Sequence, residues 1–76
     1  MKEYPNFIGI DIGKFNFVVA SYKKKQTKEY QNNDSGISKF IKDLVLEKHP
    51  LCILEATGGY EIQLLLTLCK KNIAVH

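Results

Sequence analysis

The sequence predicts an α/β fold: a mixed sheet with helices packed on it, in the order strand, strand, strand, helix, strand, helix, strand. Three observations carry this. The runs around Phe7–Ile12 and Leu51–Leu54 are short and apolar on both faces, as expected of neighbouring strands in the middle of a covered sheet. Segment 15–31 is rich in β-branched and aromatic residues broken by one polar turn, which reads as two more strands hairpinned to the first. Residues 37–45 repeat their apolar side chains at helical spacing, one stripe for packing on a sheet.

The first strand is the reference for the others. In Phe7-Ile8-Gly9-Ile10-Asp11-Ile12-Gly13-Lys14, four apolar side chains interleave with a glycine and one carboxylate. Asp11 is costly to bury alone, so it should face a cleft, a cation or a partner. Gly13 points to a tight reversal directly beyond it. The second strand spans Phe15 to Tyr22, Lys23-Lys24-Lys25-Gln26 is a polar turn, and Thr27 to Gln31 is a more polar strand suited to a sheet edge.

Asn32-Asn33-Asp34-Ser35-Gly36 is loop and cap chemistry, its side-chain oxygens able to take the free N–H groups of a starting helix. That helix is predicted from about Ser35 or Gly36 to Lys48. Ile37, Phe40, Ile41, Leu44 and Val45 form its apolar stripe, and Lys39, Lys42, Asp43 and Glu47 its wet side. Pro50 pushes His49 out of helical geometry, and His49 itself reads as a surface residue at a helix end. Leu51-Cys52-Ile53-Leu54 is then a buried strand ending at Glu55. Ala56-Thr57-Gly58-Gly59-Tyr60 turns the chain into a second helix, about Tyr60 to Lys71. That helix is too apolar to be half exposed and should pack on the sheet and on something else. Ile73-Ala74-Val75-His76 reads as a further strand.

Composition bounds the function. Seventy-six residues form one small domain or part of one. A chain of this size buries only about 60% of its unfolded surface, so its stability alone is marginal. Hydrophobic content of 45% and charged content of 25% argue against disorder. No apolar run reaches the roughly 18 residues of a membrane span, and Met-Lys-Glu-Tyr-Pro lacks a signal-peptide core, which leaves the cytoplasm as the expected compartment. Cys52 and Cys69 lack metal-ligand spacing and read as buried thiols. The net charge of +3 is uneven: Lys14, Lys23, Lys24, Lys25 and Lys28 stand against Glu29 alone between Lys14 and Tyr30. This patch either meets a phosphate backbone or is a solvated hairpin tip that discourages edge pairing.

The strand after the first helix needs a crossover, so it should return parallel to the first strand and beside it. Asp11 and Glu55 would then project from one sheet edge at about the strand spacing of 4.8 Å. Ligand sites in open α/β sheets lie at such carboxyl ends. Two carboxylates that close repel unless a proton or cation intervenes, and oxygen ligation suits Mg²⁺ or Mn²⁺. Such an ion activates water and stabilises charge on a phosphodiester. The structural alternative is that Glu55 caps the helix start and Asp11 a turn. Thr57, Gly58 and Gly59 either free backbone N–H groups for a phosphate or only permit a sharp turn. Tyr60 either stacks on a base or packs on the sheet, and Glu61 favours the helix dipole.

Ile8-Gly-Ile-Asp11-Ile-Gly-Lys14 followed by Leu54-Glu55-Ala-Thr-Gly-Gly-Tyr60-Glu61 resembles the N-terminal domain of the DEDD transposases, insertion-sequence family 110 with the Piv/MooV DNA invertases. The resemblance spans nearly the whole chain. It implies a ribonuclease H-like, RuvC-like domain in which four acids bind divalent metal, with Asp11 as the first and Glu55 as the second. Residues 1–76 would be the N-terminal part of that catalytic domain, truncated after the fifth strand and inactive by itself. The third and fourth acids and a C-terminal transposase domain would lie beyond it. The resemblance further implies recombination of transposon ends and target DNA, homo-oligomers assembled on nucleic acid, and in some members an element-encoded guide RNA. Lys14, Lys23, Lys24, Lys25, Thr57, Gly58, Gly59 and Tyr60 are the candidate nucleic-acid contacts.

Two other classes compete. Gly9-Ile10-Asp11-Ile12-Gly13 also looks like the first phosphate loop of actin-like ATPases and sugar kinases, although Lys14-Phe15 stand where those families prefer small hydroxyl residues. A non-catalytic dimerisation module is the third, supported by the apolar second helix and an unfilled strand edge.

Overall fold

The computed structural model describes residues 6–47, 50–56 and 58–76. Strands β1 (Asn6–Ile12), β2 (Asn16–Ser21) and β3 (Gln26–Gln31) precede helix α1 (Asp34–Leu44). Strand β4 (Pro50–Ala56), helix α2 (Ile62–Lys70) and the short strand β5 (Ala74–Val75) follow. They form one five-stranded mixed sheet in the order β3-β2-β1-β4-β5. β1, β2 and β3 pair antiparallel, whereas β4 pairs parallel to β1 and to β5. The meander and the parallel return of β4 beside β1 are those expected from the sequence. His49 and Thr57 lie outside the described residues.

Alternation sends one set of side chains to each face of the sheet. Ile8, Ile10, Ile12, Phe17, Val19, Tyr30 and Cys52 are buried on one face beneath Ile37, Phe40, Ile41 and Leu44 of α1 and Leu64 and Leu68 of α2. Phe17 stacks on Tyr30 with ring centroids 5.5 Å apart, and Phe40 meets Phe17 edge-on at 5.4 Å. Such aromatic contacts contribute about 0.5–1.5 kcal/mol each beyond the area they bury.

The opposite face is open, which corrects the expectation that β1 and β4 are covered on both sides. Phe7 is 41% and Tyr22 66% exposed there, their rings in edge contact at 6.5 Å. The crossovers explain this. Both step the same way across the sheet, α1 carrying the chain from β3 to β4 and α2 from β4 to β5, and right-handed connections that step the same way lay their helices on the same face.

The helix boundaries also differ from expectation. Asn33 is the N-cap of α1, its Oδ1 accepting from the Gly36 N–H at 2.8 Å, so the helix begins at Asp34. It ends at Leu44, not Lys48. The last turn tightens, with the Glu47 N–H donating to the Leu44 carbonyl at 2.9 Å. Glu47 is then drawn to Asn6 at 2.9 Å and to Lys24 at 2.6 Å. Val45, assigned to the buried stripe, is exposed.

Helix α2 starts at Ile62 because Gly58 and Gly59 both hold φ of +82° and spend residues 58–61 in turns. It closes on a left-handed Asn72 (φ +57°). There the Ile73 N–H reaches the Leu68 carbonyl at 3.0 Å and the Asn72 N–H the Cys69 carbonyl at 3.1 Å, the paired bonds of a Schellman ending. Only part of α2 is covered: Leu64 and Leu68 are fully buried, whereas Ile62 (59%) and Leu66 (58%) face outward. Cys69 shares that outer side and is exposed, contrary to the expectation of two buried thiols; Cys52 is buried, which pushes its thiol pKa up to about 11.

Candidate metal and nucleic-acid site

Asp11 and Glu55 stand directly opposite one another in the β1–β4 ladder. Parallel neighbours lie about 4.8 Å apart, and residues paired in register send their side chains to the same face. Here that is the open face, where both residues are exposed. Both line one shallow depression of about 320 Å³ with Gly9, Ile10, Val18, Ala20, Tyr22 and Ile53. Its floor is low because Gly9 pairs with Ala20 across β1 and β2, two residues with almost no side chain. Among the described residues neither carboxylate takes part in an ion pair.

The turn beyond Asp11 is tight, with the Gly13 N–H donating to the Asn16 carbonyl at 2.9 Å. Lys14 follows at the same sheet end, its Nζ lying 5.2 Å from the centre of the Phe15 ring. Beyond Glu55, Gly58 and Gly59 are exposed and Tyr60 is half exposed, its ring lying against Gly58.

Lys23, Lys24 and Lys25 are elsewhere. In a meander the two hairpin turns fall at opposite ends of the strands, and the Tyr22 N–H bonds the Phe7 carbonyl at 3.2 Å, at the start of β1. The lysine turn is therefore about a strand length from the acids, on the order of 15–20 Å. The sequence patch is thus two patches. Lys24 is paired with Glu47 at 2.6 Å and Lys28 with Asp43 at 2.9 Å.

Two features were not visible as site residues in the sequence. Asn32, read there as loop and cap chemistry, donates its Nδ2 hydrogens to the Gly13 carbonyl and the Tyr60 carbonyl, each at 3.0 Å. Asp43, read as a solvated helix residue, accepts from the Tyr30 hydroxyl at 2.5 Å and from Lys28. Burial, then the Asp43 hydrogen bond and charge, raise the Tyr30 phenol above its ordinary range. The Tyr30 hydrogen bond, followed by that of Lys28, holds the Asp43 carboxyl below its own. This cluster ties β3 to α1, on the covered side of the sheet.

Among the described residues there is no group of three or more His, Cys, Asp or Glu side chains placed to hold a metal, so Asp11 and Glu55 form a two-carboxylate set. That donor set fits Mg²⁺ or Mn²⁺, hard ions that commonly take one or two carboxylates and fill the remaining positions with water and substrate phosphate. Among the described residues no helix is long and apolar enough to cross a membrane. No protein-family model matches the chain, and no curated protein matches its sequence.

Proposed function

We propose that Asp11 and Glu55 are two acids of a divalent-metal site for phosphodiester chemistry on DNA, in a ribonuclease H-like, RuvC-like domain of the DEDD transposase type. The observation that carries this reading is the Asp11–Glu55 register pair, exposed at the carboxyl ends of two central parallel strands. The element order, the tight turn at Gly13 after Asp11 and the Gly58–Gly59 turn after Glu55 support it.

When bound, Mg²⁺ or Mn²⁺ supplies a Lewis acid and an activated water to a phosphodiester. The chain's own residues hold and orient. Asp11 and Glu55 provide the oxygen ligands, and Lys14 places a positive charge at the same sheet end for a backbone phosphate. The glycine turn at 58–59 lets backbone approach a phosphate without side chains intervening. The lysine turn at 23–25 is a separate contact for a longer duplex. Two carboxylates are half of the four that the resemblance implies, so residues 1–76 by themselves are expected to hold the metal measurably and not to cleave DNA.

A second reading, a homo-oligomerising module, is favoured by the outward Ile62 and Leu66 and by the open apolar sheet face. Calorimetric titration with MnCl₂, alongside sedimentation, separates the two. The metal-site reading expects saturable binding that Asp11→Asn abolishes. No binding by the wild type, or a dimer indifferent to metal and to Asp11→Asn, overturns it in favour of the module.

A further inference from the structure

We propose that Asn32 is a positioning residue for the carboxylate pair, clamping together the two turns that follow Asp11 and Glu55; this rests on the metal-site reading above. The β1–β4 ladder fixes the two acids as far as Ile12 and Ala56. Beyond those residues the chain leaves the ladder in both strands, and the sheet no longer sets the distance between the turns. Asn32 spans that gap. A side-chain amide has two N–H hydrogens, and Asn32 spends one on each turn: Gly13, two residues after Asp11, and Tyr60, five after Glu55. Its own backbone N–H donates to the Phe15 carbonyl at 2.8 Å, so Asn32 is itself anchored to the first turn before it reaches the second.

The neighbouring contacts agree. Asn33 caps α1, and Gln63 of α2 hydrogen-bonds Asp34 at the start of α1. The β3–α1 junction is thus connected to the turn after β1 and to the start of α2, and among the described residues Asn32 is the one whose side chain hydrogen-bonds both acid-bearing segments. Residues that orient metal ligands without touching the metal commonly change affinity by about 10–100-fold when replaced. Asn32 acts one step further out: it touches neither carboxylate and holds the backbone that follows each of them. Aspartate at this position has the same shape and no donor, and would set an oxygen against two carbonyl oxygens.

The test combines native-state amide hydrogen exchange with Mn²⁺ affinity from paramagnetic relaxation, on the full chain. The proteins are wild type, Asn32→Ala and Asn32→Asp, the last retained in case alanine loosens the whole fold. Exchange should accelerate about tenfold or more in both turns, residues 13–15 and 58–62, while the core amides of Phe17 and Phe40 keep their protection. Mn²⁺ affinity should fall in both variants by about tenfold, the low end of that range. Acceleration in one turn only, or in neither, overturns the clamp. Loosening of both turns with unchanged Mn²⁺ affinity overturns the positioning role. A wild type that binds no Mn²⁺ contradicts the metal-site reading itself and removes the positioning role with it, an outcome distinguished by appearing before any Asn32 variant is compared.

Discussion

The Tyr30 hydroxyl donates to Asp43 at 2.5 Å, joining the edge strand β3 to the outer side of α1 at the border of the aromatic core. Asp43 is depressed and Tyr30 raised by this contact and its surroundings, so each limits stability at a different end of the pH scale. The Asp43 contribution is present above the ordinary carboxylate range, near pH 4, and is lost as pH falls through its lowered folded value. The Tyr30 contribution is fully present below about pH 10 and is lost as pH rises from there toward its raised folded value.

Tyr30→Phe tests this pair. It removes the hydroxyl and keeps the stacked ring, so the expected loss at neutral pH is about 0.5–1.5 kcal/mol, at the lower end because Asp43 is half exposed. Urea denaturation should show the difference between the two proteins shrinking below pH 4. A difference that persists unchanged into acid would mean that the Asp43 carboxylate is not the partner that matters.

Gly36 presents a case where helix propensity and packing oppose one another. Alanine favours a helix over glycine by about 1 kcal/mol. A Cβ on Gly36, however, would lie 1.9 Å from the Gln31 carbonyl oxygen, which is backbone and cannot swing away. Gly36→Ala is therefore expected to destabilise by about 1–3 kcal/mol. A more stable variant would show that α1 does not approach the end of β3 this closely.

The two sides of α2 should respond differently. Leu64 and Leu68 have no exposed surface, and replacing either with alanine is expected to cost about 2–5 kcal/mol. Leu66 faces outward, and Leu66→Ala should cost less than about 0.5 kcal/mol at low protein concentration. A Leu66→Ala penalty that grows with concentration would show that this side is an interface in a homo-oligomer.

The sheet order was legible because the two short runs are the most apolar of the chain, as central neighbours are, and because a crossover from β3 to β4 leaves few alternatives beside β1. With those strands side by side, an acid at the end of each run placed Asp11 against Glu55. One-sided coverage was not legible from apolar content, since Phe7 and Ile53 look like core residues until the direction of both crossovers is considered. Lys14 and the Lys23–Lys25 turn, close in sequence, fall at opposite sheet ends, because a hairpin turn reverses position with every strand. Asn32 and Gly36 carry their roles through approach distances that no periodicity encodes. A loop asparagine and a glycine near a helix start have many ordinary uses.

The acids themselves should contribute little to folding. Asp11→Asn and Glu55→Gln are expected to leave stability within about 0.5 kcal/mol of wild type, or to raise it by relieving repulsion between two exposed like charges. A loss above about 1 kcal/mol on denaturant unfolding would assign them to turn and helix capping instead.

The most direct measurement is a Mn²⁺ titration followed by backbone amide NMR on the wild type, Asp11→Asn and Glu55→Gln. If the register pair is one metal site, paramagnetic broadening will centre on residues 10–14 and 54–58 together and will be lost from both segments in either variant. Broadening that survives Asp11→Asn, that appears at only one of the two segments, or that is absent from the wild type would contradict a shared site at Asp11 and Glu55.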